Sequence, residues 1–187
     1  RDEHGRPWVT LLEGPDGFVT SPDPRHLMIA AKPSRGDALK QAFVAGADVG
    51  ILGIELATRR RNRVNGRIAE DGTNGIAFAV EQSFGNCPQY IQTRSFRAIK
   101  NYGTTPEVHF AELDNDAKRA IALADTLFVA SYVVPKEKPN VEGVDVSHRG
   151  GRPGFVAVDG NTLTIPDYAG NNVFNTLGNF LLNPKAG

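Results

Sequence analysis

Apolar and polar positions alternate over short stretches in the first half of the chain, and this alternation predicts β-strands. Between the second and third stretches, Asp37–Ala45 has a helical pattern, with Asp37 as its N-cap and Gly46 as its end. A strand-rich pattern with one short helix predicts a mainly β fold, a small antiparallel β-barrel with short helices. The predicted strands lie around Trp8–Leu12, Leu27–Ala31, Val49–Ala57, Asn62–Ala69 and Ile76–Glu81.

The same order of landmarks occurs twice along the chain. Gly5–Pro7 and Gly151–Pro153 both read Gly-Arg-Pro, and each is followed by an apolar run, a polar turn, a strand, a glycine and a helix. The second copy also has a lead-in, Asp114–Val133, with a helix and then a strand, whereas the first copy has none. We therefore expect tandem copies of one small domain. The expected division is residues 1–94 as a first domain without its lead-in, 95–113 as a linker, and 114–187 as the N-terminal half of a second domain.

Composition narrows the functional classes. The chain has 187 residues, 40% of them apolar, and its 21 basic residues balance 21 acidic ones. A neutral chain is not suited to coating nucleic acid or an anionic membrane, and no apolar run approaches the roughly 20 residues that span a bilayer. The start, Arg1 to His4, does not resemble a signal peptide. The single cysteine, Cys87, excludes an internal disulfide and fits a reducing cytoplasm, so we expect a cytoplasmic protein.

The densest charge cluster is the run RRRNR at positions 59–63. On a strand, alternation places Arg59, Arg61 and Arg63 on one face. Three guanidinium groups on one face repel each other unless an anion joins them, and their planar forks suit phosphate. Two alternatives remain: a carboxylate-rich partner surface, or an edge strand whose arginines are simply solvated.

Ser147, His148 and Arg149 form a second candidate cluster, at the end of a strand and directly before a glycine pair. Glycines let a backbone approach a ligand closely. A histidine in such a place is also compatible with a purely structural role. No serine–histidine–acid set can be assigned, because the sequence does not place the acid.

The third candidate cluster lies where the strand of the second copy passes into its last helix. A helix start offers free backbone N–H groups and a positive dipole end, which suit phosphate. Amide and hydroxyl side chains there fit a flat heterocycle edged with carbonyls and ring nitrogens. The alternative is that Asn171 or Asn172 caps the helix and the other residues are surface. The polar residues of this cluster are Asn171, Asn172, Asn175 and Thr176.

No metal or nucleotide motif is present. Cys87 has no second cysteine or paired histidines beside it, so it predicts a buried structural residue rather than a metal ligand. The four histidines are far apart, and there is no Walker loop, GxGxxG fingerprint or HExxH motif. We therefore expect no metal site.

Four segments together resemble the pyridoxamine 5'-phosphate oxidase-like proteins, the FMN-binding split-barrel family, and are closest to its tandem-domain flavin-nucleotide-binding members. They cover about half of the chain and stand in the order GILGIELATRRRNRVNGR, EQSFGNCPQYIQ, HRGGRPGF and DYAGNN…TLGNFLLNP. The resemblance implies a Greek-key split barrel that pairs two-fold with another barrel, as a homodimer or a pseudo-dimer. It also implies FMN in the groove between the two barrels.

The resemblance assigns candidate cofactor-binding residues. Ser147, His148 and Arg149 match the strand that runs beside the flavin. Arg61 and Arg63 match the strand that contacts flavin from the partner barrel. The segment that holds the ribityl phosphate matches Asp167, Tyr168, Asn171 and Asn172, and Asn175 and Thr176 complete the set.

Departures from the family pattern limit the activity that the resemblance implies. Where pyridoxamine 5'-phosphate oxidase has serine, arginine and lysine, this chain has Gly170, Asn171 and Asn172, and the oxidase's C-terminal arginine–histidine motif has no counterpart. We therefore expect an FMN-dependent oxidoreductase that transfers hydride or electrons, and not pyridoxamine phosphate oxidation. A reductase or ferredoxin is the candidate protein partner, and no catalytic residue is identified. The alternative is a non-catalytic flavin- or cofactor-binding module for sensing, storage or electron docking; a nucleic-acid-binding barrel is disfavoured by the zero net charge.

Overall fold

A computed structural model describes residues 1–97, 108–134, 143–170 and 172–187. Within these ranges the chain is mainly β, with nine strands and two short helices. The prediction of a mainly β fold with short helices is confirmed. In chain order the elements are β1 Val19–Asp23, β2 His26–Ile29, β3 Asp48–Glu55, β4 Arg60–Gly72, β5 Gly75–Gly85, α1 Asn115–Leu123, β6 Thr126–Val133, β7 Gly143–Gly150, β8 Ala157–Asp159, β9 Thr162–Thr164 and α2 Asn175–Leu182.

The largest sheet contains the first five strands, in the order β1-β2-β5-β4-β3, and every neighbouring pair is antiparallel. Strands β6 and β7 form a second antiparallel pair, and β8 and β9 form a third. Among the described residues the five-stranded sheet ends at β1 and β3 and does not close. No closed barrel is therefore present in this part of the chain, and the split barrel stays a prediction.

The apolar core lies in the first half of the chain. Phe78 is fully buried, and Ile68 and Ile76 are almost so, because alternate residues of β4 and β5 point to the same side of the sheet. The two strands also approach very closely: a Cβ at Gly66 would lie 2.0 Å from the Ala79 carbonyl oxygen. Only glycine fits there, beside an irregularity in the β4–β5 register. The core cluster consists of Ile29, Ala31, Leu39, Phe43, Ile68 and Ile76.

The predicted helix at Asp37–Ala45 is wrong, since this segment forms consecutive turns. The Lys40 amide bonds the Asp37 carbonyl and the Asp37 side chain accepts from the Leu39 amide, so the first turn closes over three residues. A segment of nine residues is also short for a stable helix. In addition, the Gly46 amide donates to the Ile68 carbonyl of the sheet, so the end of the segment is held by β4. Leu39 and Phe43 are nonetheless buried. The apolar spacing therefore predicted their burial correctly, although it predicted the wrong secondary structure.

Two other predicted elements have opposite outcomes. The structure has no strand at Trp8–Leu12. The helix predicted at the start of the second copy is confirmed as α1, and Asp114 is its N-cap, with Oδ1 accepting from the Ala117 amide at 2.7 Å. Most of the predicted linker and the loop Pro135–Asn140 lie outside the described residues.

The two halves meet through the strand β7, which contacts β3 and β4 of the large sheet. Gly50 on β3 marks the approach, since a Cβ there would lie 3.3 Å from the Val146 amide nitrogen. Helix α2 packs on β6 and β7. Strands β4 and β7 thus stand beside each other, with α2 close by. None of the described helices is long and apolar enough to cross a membrane.

Candidate functional site

A groove lies between the two halves of the chain, with β4 on one side and β7 on the other. Its cavity volume is about 80 Å³, and it opens to solvent on one side. Two connecting segments complete its walls, one directly after β5 and one between β9 and α2. Its lining consists of Arg61, Arg63, Asn86, Cys87, Gln89, Tyr90, Ser147, His148, Arg149, Gly150, Pro166, Tyr168, Gly170, Val173 and Thr176.

Most of the residues that the sequence singled out come together in this groove, although they stand far apart in the chain. Asp167 lies beside it, bound to Arg149. Asn175 is the half-buried first residue of α2 and Asn172 is exposed, and neither lines the groove. Asn171 lies outside the described residues. The predicted site residues in the lining are Arg61, Arg63, Ser147, His148, Arg149, Tyr168 and Thr176.

The start of α2 does not fit the alternative that an asparagine caps this helix. Phe174 occupies the N-cap position, and no side chain there bonds a backbone N–H group. Asn172 instead has a φ of 58°, in the left-handed region that asparagine tolerates better than most residues. Asn172 therefore belongs to the turn before the helix, and its amide does not cap α2.

The arginine run is divided by the fold. Arg61 and Arg63 share one face of β4 and reach the groove, as their alternation predicts. Arg59 is not on that face: it lies in the preceding turn with a φ of 59°, and its Nε donates to Thr93. Arg60 is exposed. Because β4 lies between β5 and β3, the alternative of a solvated edge strand is wrong.

Arg61 carries a positive charge that no carboxylate of the described residues neutralises. Its Nη2 donates to the Cys87 carbonyl at 2.7 Å and its Nη1 faces His148 Nδ1 at 3.3 Å, both of which are neutral groups. Burial lowers the pKa of the Arg61 guanidinium, and the nearby charges of Arg63 and Arg149 lower it further. A half-buried guanidinium without a counter-ion is unfavourable unless an anion approaches it.

His148 is held as a neutral imidazole. Because Arg61 has only donors, the Nδ1 of His148 must accept from it, which leaves the proton on Nε2. Burial, together with the positive charges of Arg61 and Arg149, lowers the pKa of His148 to about 4. The edge of the ring packs against Phe128, with the centroids 5.8 Å apart. At neutral pH His148 is thus a fixed hydrogen-bond donor, and a proton shuttle role does not suit it.

A buried polar network centred on Asp145 forms the floor of the groove. Arg63 Nη1 donates to Asp145 Oδ1 at 2.7 Å, and both side chains are almost fully buried. Thr176 Oγ1 donates to Asp145 Oδ2 at 2.5 Å. Because the single hydroxyl proton of Thr176 is used in that bond, Thr176 Oγ1 accepts from the Ser147 hydroxyl, which lies 3.0 Å away. The network joins β4, β7 and α2 and fixes Ser147 and Thr176 beneath the groove.

Arg149 and Asp167 form a second ion pair, at the mouth. Arg149 Nη1 donates to Asp167 Oδ1 at 2.6 Å, with side-chain exposures of 25% and 45%. The pair connects the end of β7 to the segment after β9. In contrast to the Arg63–Asp145 pair, it is open to water.

Two tyrosines form one wall. The Tyr90 and Tyr168 rings stack with centroids 5.2 Å apart, and the Tyr90 hydroxyl donates to the Ala169 carbonyl at 2.7 Å. The backbone of Tyr90 presses on β7: a Cβ at Gly150 would lie 2.0 Å from the Tyr90 carbonyl oxygen. This close approach explains why a glycine ends the strand.

Several buried polar atoms in the groove have no hydrogen-bond partner among the described residues. Three of them are donors, on Arg61, Arg63 and His148, and one is the amide oxygen of Asn86. Buried polar groups are normally paired, so unpaired ones clustered in a groove indicate a missing partner. The unpaired atoms are Arg61 Nε, Arg63 Nε, His148 Nε2 and Asn86 Oδ1.

The sequence reading missed three residues of the site. Asp145 stands two positions before Ser147 on the same face of β7, so alternation alone was enough to include it. Asn86 and Tyr90 stand in a segment without periodic spacing of apolar residues, so only their polar side chains indicate a role in the site. Cys87 was predicted to be buried, but it is only half-buried and lines the groove.

Among the described residues no carboxylate lines the groove, and these residues contain no cluster of histidine, cysteine, aspartate or glutamate that could hold a metal ion. Comparison of the chain with protein-family models, with curated proteins and with solved structures found no match.

Proposed function

We propose that the groove binds FMN and that this chain is a flavoprotein of the pyridoxamine 5'-phosphate oxidase-like kind, built from two related split barrels that pair as a pseudo-dimer. The observation that carries the proposal is the unneutralised guanidinium of Arg61 beside the donor His148 Nε2, in a groove between two halves of the chain. The resemblance in sequence supports the same ligand, since it assigns both Arg61 and His148 to the flavin site.

The chemistry of the groove suits each part of such a ligand. A phosphate requires positive charge and hydrogen-bond donors, which Arg61 supplies. An isoalloxazine edge has carbonyl and ring-nitrogen acceptors together with one N–H donor, which matches the unpaired donors of Arg63 and His148 and the Asn86 oxygen. Tyr168, Pro166 and Val173 add apolar surface on which a ring can lie.

FMN, when bound, supplies the hydride or electron chemistry, and the chain supplies position and electrostatics. The Asp145 network holds Ser147 and Thr176 rigid below the ligand. His148 keeps its proton on Nε2 and donates it in a hydrogen bond without releasing it. The proposed activity is therefore an oxidoreductase, with a reductase or ferredoxin as electron partner.

A second candidate is a non-catalytic flavin-binding module. It is favoured by two features of the described lining residues: none is a carboxylate, and the pKa of His148 is about 4. Neither feature provides an acid–base group for substrate chemistry at neutral pH. Reduction of the bound flavin by NAD(P)H or by reduced ferredoxin separates the two. Reduction by either supports the oxidoreductase, and failure of both supports the module.

Titration of the purified chain with FMN, followed by quenching of flavin fluorescence, tests the proposal. We expect binding that Arg61→Ala weakens about 10- to 100-fold, because a charge-assisted hydrogen bond is lost. Arg60→Ala is the matched control, since it removes the same charge from the exposed face of β4 and leaves the affinity unchanged. No binding by the unaltered chain, or equal losses in the two variants, would overturn the proposal.

A further inference from the structure

We propose that Asp167 is an internal counter-ion that occupies Arg149 and competes with the ligand's anionic group, so that it sets the strength of anion binding in the groove. This inference rests on the proposed function, because it concerns the same groove and a phosphate-bearing ligand. It also reverses the role that the family resemblance implies for Asp167, which placed this residue among the groups that hold the phosphate.

The balance of charge in the groove is the first step. Three arginines line it. Arg63 is neutralised by Asp145 at 2.7 Å and Arg149 by Asp167 at 2.6 Å. With His148 neutral, Arg61 is the one cation among the described lining residues that has no carboxylate partner. The other two arginines of this lining are already paired.

The two pairs differ in how readily an anion can displace the carboxylate. Asp145 is almost fully buried and is also held by Thr176, so separating it from Arg63 would strand a buried charge. Asp167 is 45% exposed and Arg149 is 25% exposed, and an exposed ion pair contributes little to stability. Only the Arg149–Asp167 pair can exchange its carboxylate for another anion at low cost.

The position of Asp167 makes that exchange relevant to the ligand. Arg149, Arg61 and His148 line the same groove, and the charge of Arg149 contributes to lowering the pKa of the other two. An anion drawn to Arg61 therefore also comes within reach of Arg149, and it meets the carboxylate of Asp167 there. A carboxylate cannot donate to phosphate and repels it, so Asp167 opposes the ligand until it is displaced.

The test compares FMN with riboflavin, which has the same ring system but no phosphate. Isothermal titration of the full chain should show that Asp167→Asn tightens FMN binding about fivefold, as expected for losing one exposed ion pair. Riboflavin affinity should not change. Asp167→Glu, which keeps the charge, should bind FMN like the unaltered chain. Asp116→Asn is the control, because it removes a carboxylate from another exposed Arg–Asp pair, on α1.

A second background separates competition from a general change in the loop. In chains that carry Arg149→Ala, Asp167→Asn should leave a much smaller gain in FMN affinity, because the cation that Asp167 occupies is gone. Equal or weaker FMN binding by Asp167→Asn in the original background overturns the inference. So does an equal gain for riboflavin, which would point to a steric or conformational effect.

Inorganic phosphate distinguishes failure of this inference from failure of the proposed function. If neither flavin binds to any variant, the FMN proposal fails. The counter-ion role is then read from thermal unfolding in phosphate against chloride at equal ionic strength. A larger phosphate-induced rise in the midpoint for Asp167→Asn than for the unaltered chain supports it, and equal rises overturn it.

Discussion

The two halves of this chain bury different kinds of side chain. In the first half, the most deeply buried side chains of the five-stranded sheet are apolar: Phe78, Ile68 and Ile76. In the second half, the side chains buried on β7 and α2 include Asp145, Ser147, His148 and Thr176. Halves that share an order of sequence landmarks thus bury different side chains, and the groove is lined by the polar ones.

The contrast teaches how the site is supported. Burial of apolar surface is non-directional, so the first half is a stable platform that tolerates adjustment. Buried hydrogen bonds and ion pairs demand specific geometry, so the second half holds its groups in place at an energetic cost. The first half supplies Arg61 and Arg63 on a well-packed strand, and the second half supplies their partners, His148 and Asp145.

The largest effect is expected from the apolar half. Phe78→Ala should lower the free energy of unfolding by about 4 kcal/mol, because it removes a fully buried ring and leaves a cavity. Denaturant unfolding followed by far-UV circular dichroism measures this. Phe96→Ala is the matched control, since Phe96 is 87% exposed, and its change should be small. A loss below about 1 kcal/mol for Phe78→Ala would contradict the assigned core.

The next effect is expected from the ion pair that crosses between the halves. Asp145→Asn should cost about 3 kcal/mol, because Arg63 keeps a charge in a site where it is 6% exposed. Asp159→Asn, on exposed β8, should have little effect. Adding Arg63→Met to Asp145→Asn should recover part of the loss, since the stranded charge disappears. A double-mutant cycle measures the coupling, and additive losses would show that the two residues do not interact.

The polar half should also make stability depend on pH. His148 has a pKa of about 4 in the fold, below its ordinary value, so the unfolded chain binds the proton more readily between about pH 6.5 and 4. Stability is therefore complete above about pH 6.5 and falls by about 2 kcal/mol as the pH drops to 4. His148→Gln should flatten this dependence, whereas His4→Gln, at an exposed site, should retain it. Identical profiles for the two variants would exclude His148 as the cause.

The smallest effect is expected at α1, which has no buried residue. Asp114→Ala should cost about 1 kcal/mol, because the Ala117 amide loses its acceptor. Asp116→Ala, in the first turn but outside the cap, should cost less. Thermal unfolding of the three chains measures the difference, and a larger loss for Asp116→Ala would show that helix charge outweighs the cap.

The sequence predicted the parts of the fold that depend on alternation. Strand β4 spans Arg60–Gly72 and includes the predicted range Asn62–Ala69. The prediction succeeded because the side chains of this strand alternate between two environments. The same alternation placed Arg61 and Arg63 together. It failed for Arg59, because a single left-handed residue before the strand turned that side chain away, and periodicity carries no information about such a turn.

Other features depend on contacts between distant segments and were not predictable in this way. The apolar spacing of Leu39 and Phe43 indicated burial correctly, but pairing of Gly46 with Ile68 favoured turns over a helix. Asp145 became part of the site through Arg63, which no local pattern connects to it. Tyr90 reached the groove through its stacking on Tyr168. Each of these outcomes follows from tertiary packing, which overrides local propensity.

The pairing of Arg63 with Asp145 has a consequence for the order in which the chain folds. The two residues are 82 positions apart, whereas β4 and β5 are joined by a short connection. Closing a long loop is entropically costly, so local hairpins form before such a distant contact. The groove then comes into existence only in the final stage of folding. After dilution from denaturant, ligand binding should accordingly be slower than the recovery of the β-sheet signal in circular dichroism. The rate of ligand binding would then report the last step of folding.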